Sequence, residues 1–255
     1  MRRLVIGDIH NNYKALKQVI ERSNYDYNED LLIFLGDYVD GYSHARKTID
    51  FLLKIQEKSK NKPIFLMGNH DLWFLNYLKF GTVDNIWLAN GGDTTYKDFN
   101  FTTISCFEEK EKYFDFFNNL YYYYLDDDNN AFVHAGFYKG LGKDDTNFYI
   151  WDRELWDLAL EVDKKWKQGI KDKTLSQYKE IFIGHTTTMN WFAKPHYPEF
   201  KSIVGRIMIP MNRCNVWNLD TGAGYRGRLT IMDIDSKEYW QSDNAILLYP
   251  NERGR

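Results

Sequence analysis

Aspartate, histidine and asparagine recur in this chain at the ends of short apolar runs, and these residue types hold metal ions. Leu4-Val5-Ile6-Gly7 leads into Asp8 and His10, and Ile33-Phe34-Leu35-Gly36 into Asp37 and Asp40. Ile64-Phe65-Leu66-Met67-Gly68 leads into Asn69 and His70, Ala131-Phe132-Val133 into His134, and Ile181-Phe182-Ile183-Gly184 into His185. Asp8, His10, Asp37, Asn69, His134 and His185 offer six donors of mixed oxygen and nitrogen type. That is too many for one tetrahedral ion and suits two divalent ions sharing a ligand. The mixture favours manganese, the leading expectation, or iron or zinc, over an all-oxygen magnesium or calcium site. In Asp8-Ile9-His10 the i, i+2 spacing turns both side chains one way if the backbone is extended.

Two divalent ions bring four positive charges, and the carboxylates of Asp8 and Asp37 return two. With a bridging hydroxide the centre stays positive, which complements a phosphoryl group. Paired ions about 3.5–4 Å apart stabilise the attacking and leaving oxygens of an in-line displacement, and bound metal brings the pKa of water down towards about 7. Hydrolysis of a phosphate ester or anhydride, by direct attack of that hydroxide, is the chemistry these residues predict. His70 follows Asn69 directly, and from an extended backbone the two side chains diverge. His70 is therefore expected to protonate the leaving oxygen, oriented and kept charged by Asp40. No serine or cysteine nucleophile lies in the motifs, so no phosphoenzyme is needed.

Positioning such a centre requires several strand ends at one place. Leu4–Gly7, Leu31–Gly36 and Ile64–Met67 read as buried strands, and helices through Leu16, Val19 and Ile20, through Ile49, Leu52 and Ile55, and through Leu72, Leu75 and Leu78 follow them. Strand and helix alternating at short spacing predict right-handed crossovers and a parallel core, with the ligand beyond the carboxyl ends of the strands. Helices are expected over 108–120 and 152–168. Tyr121–Leu125 is expected to pair with Ala131–His134 across Asp126–Asn130, and further strands at Ile181–Gly184, Val216–Leu219, Arg228–Ile234 and Glu238–Gln241. Parallel units first and antiparallel strands later predict an α/β fold of two facing mixed β-sheets flanked by helices.

With 255 residues and no linker or repeat, the chain reads as a single domain, 1–255. An insertion on the substrate side, about 186–215, carries Trp191, Phe192 and Tyr197; it reads either as a surface excursion or as a wall of the cleft. A net charge of −3 argues against a general nucleic-acid or anionic-membrane binder. Cys106 and Cys214 make neither a zinc cluster nor a disulfide framework. The apolar run after Met1-Arg2-Arg3 is too short for a signal peptide, and no run reaches membrane-span length, so a soluble, cytoplasmic protein is expected.

Taken together, Gly7-Asp8-Ile9-His10, Gly36-Asp37-Tyr38-Val39-Asp40, Gly68-Asn69-His70-Asp71, His134-Ala135-Gly136 and Gly184-His185-Thr186 resemble the metallophosphoesterase signature. The resemblance is closer to the phosphoprotein-phosphatase-like branch, which includes phage lambda-type Ser/Thr protein phosphatases and symmetrical diadenosine tetraphosphatases. It extends to Asn85–Gly92, Ile150–Glu154 and Leu219–Ala223, in family order, over residues 1 to about 235. It implies the calcineurin-like sandwich, a first metal held by Asp8, His10 and Asp37, and a second held by Asp37, Asn69, His134 and His185. It also implies the acid pair His70 and Asp40, and Arg153 as a phosphate clamp through its guanidinium fork.

Two departures stand out. The branch usually carries Asp-Arg-Gly where this chain has Asp40-Gly41-Tyr42, and Arg-Gly-Asn-His-Glu where it has Met67-Gly68-Asn69-His70-Asp71. The first missing arginine is normally a phosphate ligand, and Arg46, Arg226 and Arg228 are the candidates to compensate. The expected function is a dimetal phosphatase acting on phosphomonoesters, with protein phosphoserine or phosphothreonine the leading substrate and a small phosphate compound the other. The alternatives are a nucleotide phosphoanhydride hydrolase, such as a diadenosine tetraphosphatase, and a catalytically silent metal-binding regulatory module. His44 and His196 match no motif, Asp126–Asp128 reads as a solvated turn, and Asp220 as a carboxylate bonding strand-end backbone.

Overall fold

Alternate residues of the apolar runs go to opposite faces of two sheets, and both faces are covered. The computed structural model of the protein describes residues 1–99, 107–191 and 205–255. Cys106, Phe192, His196, Tyr197 and part of the 186–215 stretch lie outside the described residues. In chain order the first half contains β1 (Arg3–Ile6), α1 (Tyr13–Arg22), β2 (Leu31–Phe34), α2 (Ala45–Lys58), β3 (Ile64–Phe65) and α3 (Asn69–Phe80). Short helices α4 (Asn85–Trp87) and α5 (Asp93–Asp98) follow, then α6 (Phe107–Asn118). The second half contains β4 (Tyr123–Leu125), β5 (Asn130–Val133), α7 (Thr146–Trp151), α8 (Glu154–Lys167) and β6 (Glu180–Ile183). It closes with β7 (Met211–Arg213), β8 (Val216–Asn218), β9 (Thr230–Asp233), β10 (Tyr239–Gln241) and α9 (Ala245–Leu248).

The sheets are both five-stranded, in the orders β10-β9-β1-β2-β3 and β4-β5-β6-β8-β7. In the first, β1, β2 and β3 are parallel, and β9 returns antiparallel beside β1. In the second, β5, β6 and β8 are parallel between antiparallel edges β4 and β7. Both sheets are therefore mixed, as expected.

Val5, Ile33 and Met232 of the first sheet and Phe132 and Phe182 of the second share one buried cluster. Their sequence neighbours Leu4, Ile6, Leu32, Ala131 and Ile181 pack instead in the larger cluster with the helices. This is why the strands read as unbroken apolar runs: a strand covered on both faces has no polar side. Each fully buried Val, Leu, Ile or Phe contributes about 1.5–3 kcal/mol relative to exposure. Helix α1 starts where Asn12 Oδ1 accepts the Ala15 N–H at 3.1 Å, and it buries Ala15, Leu16, Val19 and Ile20.

Register brings the strand ends level. Ile6 pairs with Phe34, Phe34 with Phe65, Phe132 with Phe182 and Ile183 with Asn218. All the donor-bearing loops thus leave the carboxyl ends at one edge of the sandwich. Among the described residues, no helix is long and apolar enough to cross a membrane.

Candidate metal centre

Asp8, His10, Asp37, Asn69, His134 and His185 are all buried at that edge. The loops after β1 and β2 are tied by the N–H groups of Ile9 and His10, which both donate to Asp37 O at 3.0 and 2.9 Å. The second sheet joins them where the His185 N–H meets the Asp8 carboxylate at 3.0 Å. Asn69 and His70 open α3 rather than continuing an extended strand, so their divergence comes from the helical turn. His10 is not extended either. Its φ is 52°, and Asp37 at 53°, Asp40 at 74° and His185 at 61° share the left-handed region. Each costs about 1–3 kcal/mol for a non-glycine residue, which surrounding packing must offset.

Ligands about 2.1 Å from a tetrahedral ion lie about 3.4 Å from one another. His10 Nε2 is 3.4 Å and His134 Nε2 is 3.5 Å from Asp37 Oδ2. Asn69 Oδ1 is 3.2 Å from His134 Nε2 and 3.0 Å from His185 Nδ1. Asp37 belongs to two donor groups, one with His10 and His70 and one with His134 and His185. Asp8 Oδ2 stands further out, 3.9 Å from His10 Nε2.

The donors are primed for cations. His10 Nδ1 bonds Val39 O at 3.1 Å and His134 Nδ1 bonds Leu35 O at 2.8 Å, which leaves each Nε2 lone pair facing inward. Burial holds the imidazoles of His10, His134 and His185 below their usual pKa, in the neutral form that ligates. Burial, then Asp220 and Asp37, pushes the Asp8 carboxyl well above the carboxylate range. His10 Nε2, His185 Nε2 and Asp37 Oδ2 are buried without a hydrogen-bond partner among the described residues. Such unsatisfied atoms are costly on their own and fit bound divalent ions.

Glycine makes the close packing possible at two positions. A Cβ on Gly68 would lie 2.1 Å from Asp37 Oδ1, and one on Gly184 would lie 2.0 Å from Asp8 Oδ1.

His70 is within reach of the cluster, but both its ring nitrogens are engaged. Nδ1 meets Asp40 Oδ2 at 2.7 Å, and Nε2 bonds the guanidinium of Arg255. Trp87 Nε1 also donates to Asp40 Oδ2, at 2.8 Å, and the Asp40 N–H donates to Thr95 Oγ1 at 2.9 Å. Burial pushes the Asp40 carboxyl up to about 7 against these bonds, and burial takes the His70 imidazole down to about 3.

The arginines fall out differently from expectation. Arg153, exposed at the start of α8, donates to Thr186 Oγ1 at 3.2 Å and to His185 O at 3.4 Å, on the His185 side of the cluster. Arg46 bonds Asp98 O at 2.6 Å and lies over Phe99, and Arg228 bonds Ser242 O at 2.9 Å, so neither enters the centre. Arg226 lines a neighbouring cavity of about 840 Å³. The arginine that does reach the cluster is Arg255, which no motif marks. Asp220 Oδ1 accepts the Gly222 N–H at 3.0 Å, a bond to backbone as expected.

The profile of the calcineurin-like phosphoesterase family matches residues 1–202. The symmetrical bis(5'-nucleosyl)-tetraphosphatase of Coxiella burnetii is 34% identical over 71 residues, 28% of this chain and 23% of that protein. Serine/threonine-protein phosphatase 2 of Escherichia coli is 34% identical over 91 residues, 35% of this chain and 38% of that protein. The chain thus aligns with less than half the length of either relative. In fold it is similar to a metallophosphoesterase from Sphaerobacter thermophilus, with TM-score 0.55 and 17% identity over 97% of this chain and 90% of that one. It is also similar to a protein serine/threonine phosphatase from Saccharomyces cerevisiae, with TM-score 0.56 and 11% identity over 95% of this chain and 79% of that one. The motif order, the buried donor cluster and the match over residues 1–202 lead to one conclusion: the chain belongs to the calcineurin-like phosphoesterase family.

Proposed function

We propose that this protein is a dimetal-dependent phosphatase that hydrolyses phosphomonoesters, with phosphoserine or phosphothreonine side chains as the substrate class. Asp8, His10 and Asp37 would hold one divalent ion, and Asp37, Asn69, His134 and His185 the other, manganese being the first ion to test. Two such ions supply Lewis-acid stabilisation of phosphoryl charge and a hydroxide nucleophile at neutral pH. The protein's own part is to orient the phosphoryl group and deliver a proton. Arg153, tethered beside His185, would bind a phosphoryl oxygen. The His70–Asp40 pair would protonate the departing oxygen through His70 Nε2 once a bound phosphoryl group draws the Arg255 guanidinium off that nitrogen.

The observation that carries the reading is the 2.7 Å bond between His70 and buried Asp40 at the edge of the donor cluster. A serine or threonine alkoxide is a poor leaving group and needs a proton, whereas a phosphate leaving an anhydride needs it far less. The Escherichia coli relative is a protein named serine/threonine-protein phosphatase 2, which agrees with this reading. In metal-loaded protein, His70→Asn should reduce turnover of an alkyl phosphomonoester by about 100-fold or more, the range of general acid catalysis. Turnover of p-nitrophenyl phosphate, whose leaving group needs no proton, should fall much less. Equal losses on the two substrates would remove His70 from the acid role.

One observation favours a second reading, hydrolysis of a dinucleoside polyphosphate. The cavity of about 840 Å³ beside the centre is lined by Arg206, Arg226 and Arg253, which suits a substrate carrying several phosphates. The Coxiella burnetii relative bears such a name. Measuring products from a phosphothreonine peptide and from diadenosine tetraphosphate separates the readings. Hydrolysis of the second alone would overturn the first.

A further inference from the structure

The donor cluster contains one cation that the metal-ligand pattern does not explain. Arg255 Nη1 bonds His70 Nε2 and stands 3.9 Å from Asp37 Oδ2. Its side chain is only 10% exposed, and its Nε is buried without a partner among the described residues. The guanidinium lies 4.8 Å from the centroid of the Tyr225 ring, an arrangement that orients the plane.

This placement is built into the backbone. The Arg255 N–H donates to Gly224 O at 2.8 Å. A Cβ on Gly91 would lie 2.9 Å from Arg255 Cβ, and one on Gly41 would lie 3.4 Å from Arg255 N. Gly41 and Gly91 are themselves joined, N–H to O, at 3.1 Å. Two glycines thus leave a berth that Arg255 fills, and a long side chain at position 41 would compete for it.

The charges around Arg255 indicate what it is for. Asp37 is too far for a hydrogen bond and is the carboxylate shared by both donor groups, so divalent ions would neutralise it. A buried guanidinium then faces a positive centre and needs an anion. Beside the cluster itself, it lines the cavity of about 840 Å³. A planar fork of donors is the shape that binds a tetrahedral oxyanion. Arg153 stands on the His185 side and Arg255 on the His70 side, so the two flank the centre.

We propose that Arg255 binds the phosphoryl oxygens of the substrate, supplying from a remote segment of the chain the fork that Gly41 lacks. This rests on the reading that the centre hydrolyses phosphate compounds. The alternative use of the same contact is a plug: Arg255 would take the place of a metal ion and hold the protein inactive.

Titration calorimetry of inorganic phosphate into metal-loaded protein separates them, with metal content and melting temperature measured on every variant. Arg255→Ala should weaken phosphate binding by about 10- to 100-fold, the scale of lost hydrogen bonds to a charged group. Arg255→Lys keeps the charge without the fork and should fall between. Added guanidinium should restore part of the affinity of Arg255→Ala and leave the wild type unchanged, which a purely structural role would not produce. If Arg255→Ala binds phosphate as tightly as wild type, or takes up metal and phosphate more tightly, the proposal is overturned. If metal-loaded wild type binds no phosphate at all, the phosphatase reading fails with it.

Discussion

Asp37 shows how much one residue can carry. Its carboxylate approaches His10 and His134 within 3.5 Å, its Oδ1 accepts the His70 N–H at 3.0 Å, and its own backbone is left-handed. Nearby, His70 Nδ1 meets the buried Asp40 carboxyl at 2.7 Å. Burial raises the Asp40 carboxyl to about 7, so it is protonated below that pH and loses its proton above it. A nearby positive charge lowers a carboxyl pKa, so bound divalent ions would move this titration downwards. Turnover of an alkyl phosphomonoester should therefore decline as pH rises through about 7 or below, while p-nitrophenyl phosphate should show no such limb. Parallel profiles for the two substrates would show that the pair does not donate to the leaving group.

At the scale of elements, the junction of β2, β3 and α3 decides whether the ligands meet. Asp71, in the first turn of α3, accepts the N–H groups of Asp37 at 2.7 Å, Tyr38 at 2.8 Å and Gly68 at 2.9 Å. One carboxylate thereby fixes the loop carrying Asp37 against the loop carrying Asn69. Replacing it leaves three buried N–H groups unpaired, at about 1–3 kcal/mol each where they cannot reach water. Asp71→Ala should lower unfolding free energy by about 3 kcal/mol or more in a urea titration. It should also reduce bound metal measured by elemental analysis. Full metal content with wild-type stability would show that the clamp is dispensable.

For the whole molecule, the two sheets share an apolar interface and end in a shared cluster of buried acids and imidazoles. Asp8, Asp37 and Asp220 lie in it together, the last raised to about 6 by burial first. Bound cations should stabilise the folded chain, because the unfolded chain cannot gather ligands from β1 through β6. At 100-fold excess over the dissociation constant, binding stabilises by about 2.7 kcal/mol. Chelation should thus lower the melting temperature by about 5–10 °C at this chain length, and adding the metal back should reverse it. A melting curve indifferent to chelation would argue against a centre formed only in the folded state.

The sequence alone determined the candidate donors and the framework. An apolar run ended by glycine and a ligand residue is a local pattern, and strands buried on both faces write it plainly. Helical spacing likewise marked α1, α2 and α8. Strand limits were less legible: of the run Ile64–Met67, β3 keeps only Ile64 and Phe65, the Leu66 N–H still bonds Phe34 O at 3.0 Å, and the Met67 N–H turns to Tyr121 O at 2.7 Å. The left-handed backbone of His10, Asp37 and His185 was not legible either, since no local rule assigns a positive φ to these residues. Arg255 lay furthest from reach. Asn251-Glu252-Arg253-Gly254-Arg255 has no periodicity and no motif. Only tertiary packing against Gly41, Gly91 and Gly224 carries its guanidinium to the cluster. Candidate donors are written in neighbouring residues, but a contact between remote segments exists only once the chain has closed on itself.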